Sequence, residues 1–257
     1  KKVLITGSSG LIGGIVSRGL ADKYDVSGVD IRPSPGITTH IADMRDLDAI
    51  QPAFEGKDAV VDLAALIAVD STWENVHANN LPATYNAYEA SRRAGVKRVV
   101  FASSNHTAGM WEFDPPYKQL IAGDYTGLDP KTLRRVTVDM PVRPDGPYGI
   151  GKVFGEATGR FYSDQHGLSV LCMRIGTVNP EGRPITIRQL ATILTHRDLV
   201  QLVDRCISAP DSVRFGVVYG ISNNTWRFWD IEGGRKLIGY QPQDDGEQWR
   251  DKLPKNA

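Results

Sequence analysis

Seven residues near the start of the chain, Gly7-Ser8-Ser9-Gly10-Leu11-Ile12-Gly13, limit its fold more than any other stretch. They follow the apolar run Lys1-Lys2-Val3-Leu4-Ile5-Thr6, which reads as a buried strand. They open a segment whose apolar residues Leu11, Ile12, Ile15, Val16 and Leu20 recur on one face of a helix. A strand, a glycine turn and a helix in that order make the first half of a βαβ unit. Gly7 permits the tight turn, Gly10 lets backbone approach a pyrophosphate, and Gly13 lets helix pack closely on strand. The free N–H groups at the start of the helix, with the positive end of its dipole, suit phosphate. The loop residues Gly7, Ser9, Gly10, Leu11, Ile12 and Gly13 are therefore expected to cradle a dinucleotide.

The rest of the chain repeats that alternation. Strands are predicted at 25–30, 36–41 (the weakest), 58–63, 96–102 and 168–175. Helices are predicted at 46–54 (capped by Asp46), at 72–94 (ended by Gly95) and at 148–166. Strands that are apolar throughout belong to a parallel sheet covered by helices on both faces. The fold class is thus α/β, a Rossmann-type doubly wound parallel sheet. Residues 1–175 are expected to form the NAD-binding Rossmann domain, and 176–257 a smaller C-terminal substrate-binding portion interleaved with it. Between 112 and 147 the pattern fails at Pro115-Pro116 and a scatter of Gly, Asp, Lys and Arg. A long excursion with little regular structure is expected there, its Lys118, Lys131, Arg134 and Arg135 read as a solvated charge run. Beyond 175 lie short predicted helices at 187–193 and 198–208, a strand at 215–219, and the aromatic residues Trp226, Phe228, Trp229 and Trp249.

Composition narrows the function. Lys and Arg number 30 and Asp and Glu 30, so the net charge is zero, and the chain lacks the basic surplus a nucleic-acid binder uses. With 41% hydrophobic and 23% charged residues it is neither disordered nor of low complexity. No stretch approaches the ~20 apolar residues of a membrane span; the best candidate, 59–69, is broken by Asp62. Cys172 and Cys206 sit in apolar segments and read as buried thiols. A strand begins at once, without a signal-peptide pattern, so a cytoplasmic protein is expected. The reading calls for no metal.

Asp30 ends the second strand about 20 residues beyond the loop, where a carboxylate accepts hydrogen bonds from the adenosine ribose. A phosphate on that ribose would meet a like charge, which favours NAD over NADP, although Arg32 nearby could tolerate the phosphate. Ile31 beside Asp30 is assigned to the same site, as are Asp43 and Met44, where Asp43 could reach the adenine amino group or simply start a helix.

Tyr148-Gly149-Ile150-Gly151-Lys152 places a phenol and an ammonium four residues apart at the start of a helix, hence on one face. A tyrosine with its ordinary pKa near ~10 needs help to act as a base at neutral pH. The ammonium and the helix N-terminus are expected to lower it. Alone, such a pair means little. With a dinucleotide loop and with Ser103-Ser104 ending the strand before it, the pair reads as catalytic: ligands of open α/β sheets bind at the carboxyl ends of the strands.

Together these pieces resemble the extended short-chain dehydrogenase/reductase superfamily over essentially the whole chain. The glycine loop, Asp30, the Leu63-Ala64-Ala65 turn, Asn80 in Asn80-Leu81-Pro82-Ala83-Thr84, Ser104 and the Tyr148/Lys152 pair stand where that superfamily has them. Val100-Phe101-Ala102-Ser103-Ser104-Asn105-His106-Thr107, Arg143-Pro144-Asp145-Gly146 and Arg174-Ile175-Gly176 further resemble the NAD-dependent uronate dehydrogenases and related archaeal sugar dehydrogenases. The resemblance implies oxidation of the C1 hydroxyl of a pyranose sugar acid to a lactone. Tyr148 would then be the base, and Ser104, Asn105, His106 and Thr177 would touch the sugar. Arg188, upstream of Thr195-His196-Arg197-Asp198, would grip its carboxylate, as a planar guanidinium can. Lys152 would hold the nicotinamide ribose and Asn80 would support Lys152 through its backbone or a water. Leu63, Ala64, Ala65 and Asn80 would line the cofactor site. Relatives are homo-oligomers that pair through two long helices, here 72–94 and 148–166, which would make Tyr85, Tyr88 and Phe161 interface or core residues.

The chain departs from that pattern in three places. Leu66-Ile67-Ala68-Val69 is apolar where a sugar-binding serine is expected, with Ser71 displaced; Gly151 replaces the usual serine before the lysine; and the 112–147 excursion is long. Other substrates therefore stay open: an aldose, or a phosphorylated or sulfonated hexose. So do a nucleotide-sugar epimerase or dehydratase, for which the C-terminal part is short, and a non-catalytic NAD sensor, which has no need of Tyr148 and Lys152.

Overall fold

The computed structural model describes residues 1–67 and 71–253. Seven strands, β1 (Lys2–Thr6), β2 (Asp25–Asp30), β3 (Thr38–Ile41), β4 (Ala59–Asp62), β5 (Arg98–Ser104), β6 (Ser169–Ile175) and β7 (Phe215–Gly220), form one parallel sheet in the order β3-β2-β1-β4-β5-β6-β7. The helices are α1 (Leu11–Leu20), α2 (Leu47–Phe54), α3 (Trp73–Asn75), α4 (Leu81–Arg93), α5 (Tyr117–Ile121), α6 (Pro147–His166), α7 (Gln189–Thr192), α8 (His196–Ser208) and α9 (Glu232–Ile238).

Side chains alternate across the sheet, and both faces are apolar because both are covered. Val3, Ile5, Val100 and Leu171 point to one face, against Val16 and Leu20 of α1 and Leu199, Leu202 and Val203 of α8. Leu4, Val60, Val99 and Phe101 point to the other, against Ile50 and Phe54 of α2, Ala87 and Tyr88 of α4, and Tyr162 of α6. Cys172 and Cys206 are buried free thiols within these layers. The strand order reverses between β1 and β4, so a crevice opens outside their carboxyl ends.

One expectation needs correction and another an addition. The helix predicted over 72–94 is three pieces: α3, a π-helical turn over Val76–Asn80, and α4. Pro82 has no N–H to continue the regular ladder, and the Leu81 N–H reaches back to the Val76 carbonyl instead. The 112–147 excursion has little regular structure, as expected, yet it is packed against the rest of the chain. It continues a 3-10 helix over Asn105–Phe113, adds α5, and pairs Val136 with Trp229. Tyr117, Leu120, Leu133 and Val136 bury themselves there against Tyr219, Phe228 and Trp229, forming a third apolar cluster. The separation in sequence of these aromatic partners hides the cluster from any local pattern. Lys118, Lys131 and Arg134 are exposed, as expected of a solvated run, whereas Arg135 is half-buried and donates to the Pro130 carbonyl. Ala68 and Val69, part of the apolar wall noted in the sequence, lie outside the described residues. Among the described residues no helix is long and apolar enough to cross a membrane.

Candidate active site

The crevice is a cleft of about 410 Å³, and all the loop, strand-end and turn residues assigned to a cofactor from sequence line it: Gly7, Ser9, Gly10, Leu11, Ile12, Gly13, Asp30, Ile31, Asp43, Met44, Leu63, Ala64, Ala65 and Asn80. Lys152 lies outside this lining. Arg32, noted beside the ribose site, and Leu66 and Ile67 of the apolar wall also line it, and Ala42, Arg45, Asn79, Ala83 and Val178 complete it.

Local chemistry shapes the cradle. Gly7 has φ +63°, and its carbonyl accepts from the Gly10 N–H at 3.1 Å, which closes the turn. A Cβ on Gly13 would stand 2.7 Å from Ser8 Cα and closer still to the Gly7 carbonyl, so only glycine lets α1 start this near the turn. α1 begins on Gly10 with no side-chain cap and no acidic residue in its first turn, leaving its leading N–H groups and dipole for an anion. The Ser9 hydroxyl is buried with no protein partner. A pyrophosphate fits all three observations. Asp30, 9% exposed, accepts from Ser9 N at 2.9 Å and Arg32 N at 3.1 Å, so one carboxylate joins β2 to the loop and faces the cleft. Asp43 is paired with Arg45 at 2.6 Å, which holds its carboxyl below the usual range; Arg45 also reaches Asn79.

Thr6, which the sequence did not flag, is the hub behind the cleft. Its hydroxyl donates to Asp62 at 2.6 Å and accepts from Leu63 N and Ala64 N, both at 3.0 Å, fixing the turn after β4. Asn80 holds the same turn: its oxygen accepts from Leu66 N at 2.8 Å and its amide donates to Leu66 O at 3.0 Å. The Asn80 side chain is thus a clamp on this turn, because the π turn aims it at residue 66. Asp62 was legible as a charge inside an apolar strand. Burial pushes its carboxyl up to about 6, while Thr6 and Lys152 pull it down.

Tyr148 stands in the first turn of α6 and Ser104 at the end of β5, close enough that the serine hydroxyl bears on the phenol's acidity. The Lys152 ammonium lies 5.5 Å from the Tyr148 ring centre and 5.0 Å from that of Phe101. Burial pushes Tyr148 up to about 12, with the Ser104 hydroxyl pulling the other way. This corrects the expectation of a phenol made acidic by its neighbours. Lys152 is itself desolvated, falling to about 8 with Asp62 opposing the fall, and it lies toward ring faces. In this structure the cost of burying a charge outweighs its help.

His106 turns its ring edge-on to Tyr148, centroids 6.0 Å apart, and its Nδ1 pairs with Asp145 at 2.7 Å. Asp145 and Glu112 are site residues that the sequence reading missed. Glu112, at the end of the 3-10 helix and 5% exposed, meets Arg188 in a bidentate pair, Nε to Oε2 and Nη2 to Oε1, both 2.6 Å. The guanidinium expected to grip a substrate carboxylate therefore holds one supplied by the chain. Asn105, in the amide orientation that satisfies both its ends, donates to Ile175 O and accepts from Arg188 Nη2, each at 3.1 Å. Thr177 Oγ1 lies 3.4 Å from Arg188 Nη1. Ser104, Asn105, His106, Tyr148, Thr177 and Arg188 are thus gathered at the carboxyl ends of β5 and β6 beside the cleft.

The sequence model of the NAD dependent epimerase/dehydratase family matches residues 3–197. The chain is 36% identical over 256 residues to the L-arabinose 1-dehydrogenase (NAD(P)(+)) of Haloferax volcanii, covering 95% of this chain and 97% of that protein. It is 33% identical over 257 residues to the uronate dehydrogenase of Pseudomonas putida, covering 97% and 86%. A crystal structure of a tyrosine-to-alanine mutant of the Agrobacterium tumefaciens uronate dehydrogenase complexed with NAD superposes with a TM-score of 0.81. It shares 31% identity and covers 98% of this chain and 88% of its own.

Proposed function

Because this chain belongs to the NAD dependent epimerase/dehydratase family and is an NAD-dependent sugar dehydrogenase of the extended short-chain type, we propose that it oxidises the anomeric hydroxyl of a pyranose to the corresponding lactone. One observation carries the reading: Tyr148 stands beside Ser104 at the strand ends, with the buried Lys152 ammonium 5.5 Å from its ring centre. When bound, NAD supplies the acceptor for the hydride that leaves C1. The glycine loop and the start of α1 hold its phosphates, and Asp30 its adenosine ribose. The Ser104 hydroxyl holds the substrate oxygen as its charge grows, and Tyr148 Oη takes the proton from it. Lys152 stabilises the phenolate that must form, and its buried position makes each unit of charge count for more than in water. His106, oriented by Asp145, positions the sugar from the other side. The residues after 175 contribute Thr177 and Arg188 to the substrate side.

The test is Tyr148→Phe. Removal of a general base typically costs 10²–10⁴-fold, so sugar-dependent NADH formation should fall by at least about 100-fold. NAD affinity, read by fluorescence titration, should stay within a factor of about two. Retention of turnover would remove Tyr148 from the reaction. The same reading includes a dimer: Ile150, Phe154 and Phe161 form an exposed stripe on α6, beside Tyr85 of α4. Tyr88 is core, fully buried with its hydroxyl donating to Gly155 O.

A further inference from the structure

The Glu112–Arg188 pair decides what charge the site accepts. A guanidinium has five N–H donors, and here each has a partner within the chain. Nε and Nη2 take the two Glu112 oxygens, Nη2 also takes Asn105, and Nη1 faces Thr177 and Thr192 at 3.4 and 3.5 Å. The pair is neutral, the carboxylate is almost wholly buried, and Arg188 is about one-third exposed toward the substrate side. A carboxylate on the sugar would have to compete with an internal one already held in the ideal fork geometry, and would meet its negative charge at close range. The other groups gathered around the sugar position bear no free charge suited to an acid: Ser104 and Thr177 hydroxyls, the Asn105 amide, and His106 already paired with Asp145.

We propose that Glu112 is a specificity-determining residue: it turns Arg188 from a receptor for substrate carboxylate into part of the wall, so the site takes an uncharged aldopyranose in preference to a uronate. This rests on the reading of the reaction as C1 oxidation and refines its substrate class. What such a site selects is hydroxyls on the ring, with a hydrogen or a hydroxymethyl group at C5 where a uronate has its acid. Rejection of the acid is built in by a like charge, the repulsive element that specificity often needs.

The test uses the full chain with NAD and matched sugars that differ only at C5: galactose against galacturonate, glucose against glucuronate, and arabinose as the pentose lacking the sixth carbon. Initial rates of NADH formation give kcat/KM for each. The wild-type chain should favour the neutral member of each pair by at least about tenfold. Glu112→Gln, which keeps size but removes the charge, should narrow that ratio by about tenfold or more, chiefly through a lower KM for the uronate. Preference of the wild-type chain for uronates overturns the assignment without any variant, so a Glu112→Gln protein that fails to fold leaves the proposal testable. A folded variant, with NAD affinity intact, whose ratio does not move also overturns it. Absence of NADH with every free sugar overturns the reaction itself, and this refinement with it.

Discussion

Replacing Lys152 with methionine should make the protein more stable while abolishing its activity. Burial lowers the Lys152 pKa from 10.5 to about 8. One unit corresponds to about 1.4 kcal/mol, so the charged ammonium costs the folded state about 3 kcal/mol at neutral pH relative to the unfolded chain. Between pH 8 and 10.5 the unfolded state binds the extra proton, so this cost is whole below about 8 and fades as pH rises toward 10.5. Methionine fills nearly the same volume without a charge. Loss of the ammonium also strands Asp62, whose buried carboxylate Lys152 stabilises, and that trims the gain to about 1–3 kcal/mol at pH 7. Urea titrations of both proteins at pH 7, 8, 9 and 10, with midpoints compared at equal m-values, measure it. The expected result is a higher midpoint for Lys152→Met at pH 7 that converges on wild type by pH 10. A difference that is the same at pH 7 and 10, or a variant weaker at both, would refute the argument. A buried charge that costs stability and serves the proposed reaction is the usual conflict between stability and activity.

Other parts of the site make shorter predictions. Gly13→Ala forces a Cβ to within 2.7 Å of Ser8 Cα, so α1 must retreat from the turn; NAD affinity should fall at least about tenfold with circular dichroism unchanged, since a displaced helix start loses its phosphate contacts. Asp30→Asn removes the negative charge opposed to a ribose phosphate while keeping an acceptor for Ser9 N. The NADP-to-NAD ratio of kcat/KM should rise about tenfold or more, and an unchanged ratio would show that Asp30 does not set it. Phe161→Glu places a charge on a residue 53% exposed on the α6 stripe; light scattering should find monomers where the wild-type chain gives dimers, and a monomeric wild type would end that expectation.

Much of the cofactor cleft could be read along the chain because its parts are local. The loop between β1 and α1 owes its shape to Gly7 and Gly13, and α2 is capped by the Asp46 carboxylate accepting from Ala49 N as its sequence suggests. The substrate side was less legible. Glu112 and Arg188 are 76 residues apart and Thr6 and Asp62 are 56 apart, and no periodicity links either pair. Asn80 lines the cleft, and its side chain holds Leu66, a partner set by the π turn before Pro82 that no local pattern indicates.

By itself the order of residues determined the layered parallel sheet, the glycine turn before α1 and the phenol–ammonium spacing on α6, because each depends on neighbours within a few positions and on backbone sterics. Only the tertiary structure decided the charges. The phenol is raised and the ammonium lowered because both are desolvated, and Arg188 is paired because folding brings Glu112 to its fork. Electrostatic energies depend on distance and on exclusion of water, and neither exists until the chain has closed around them.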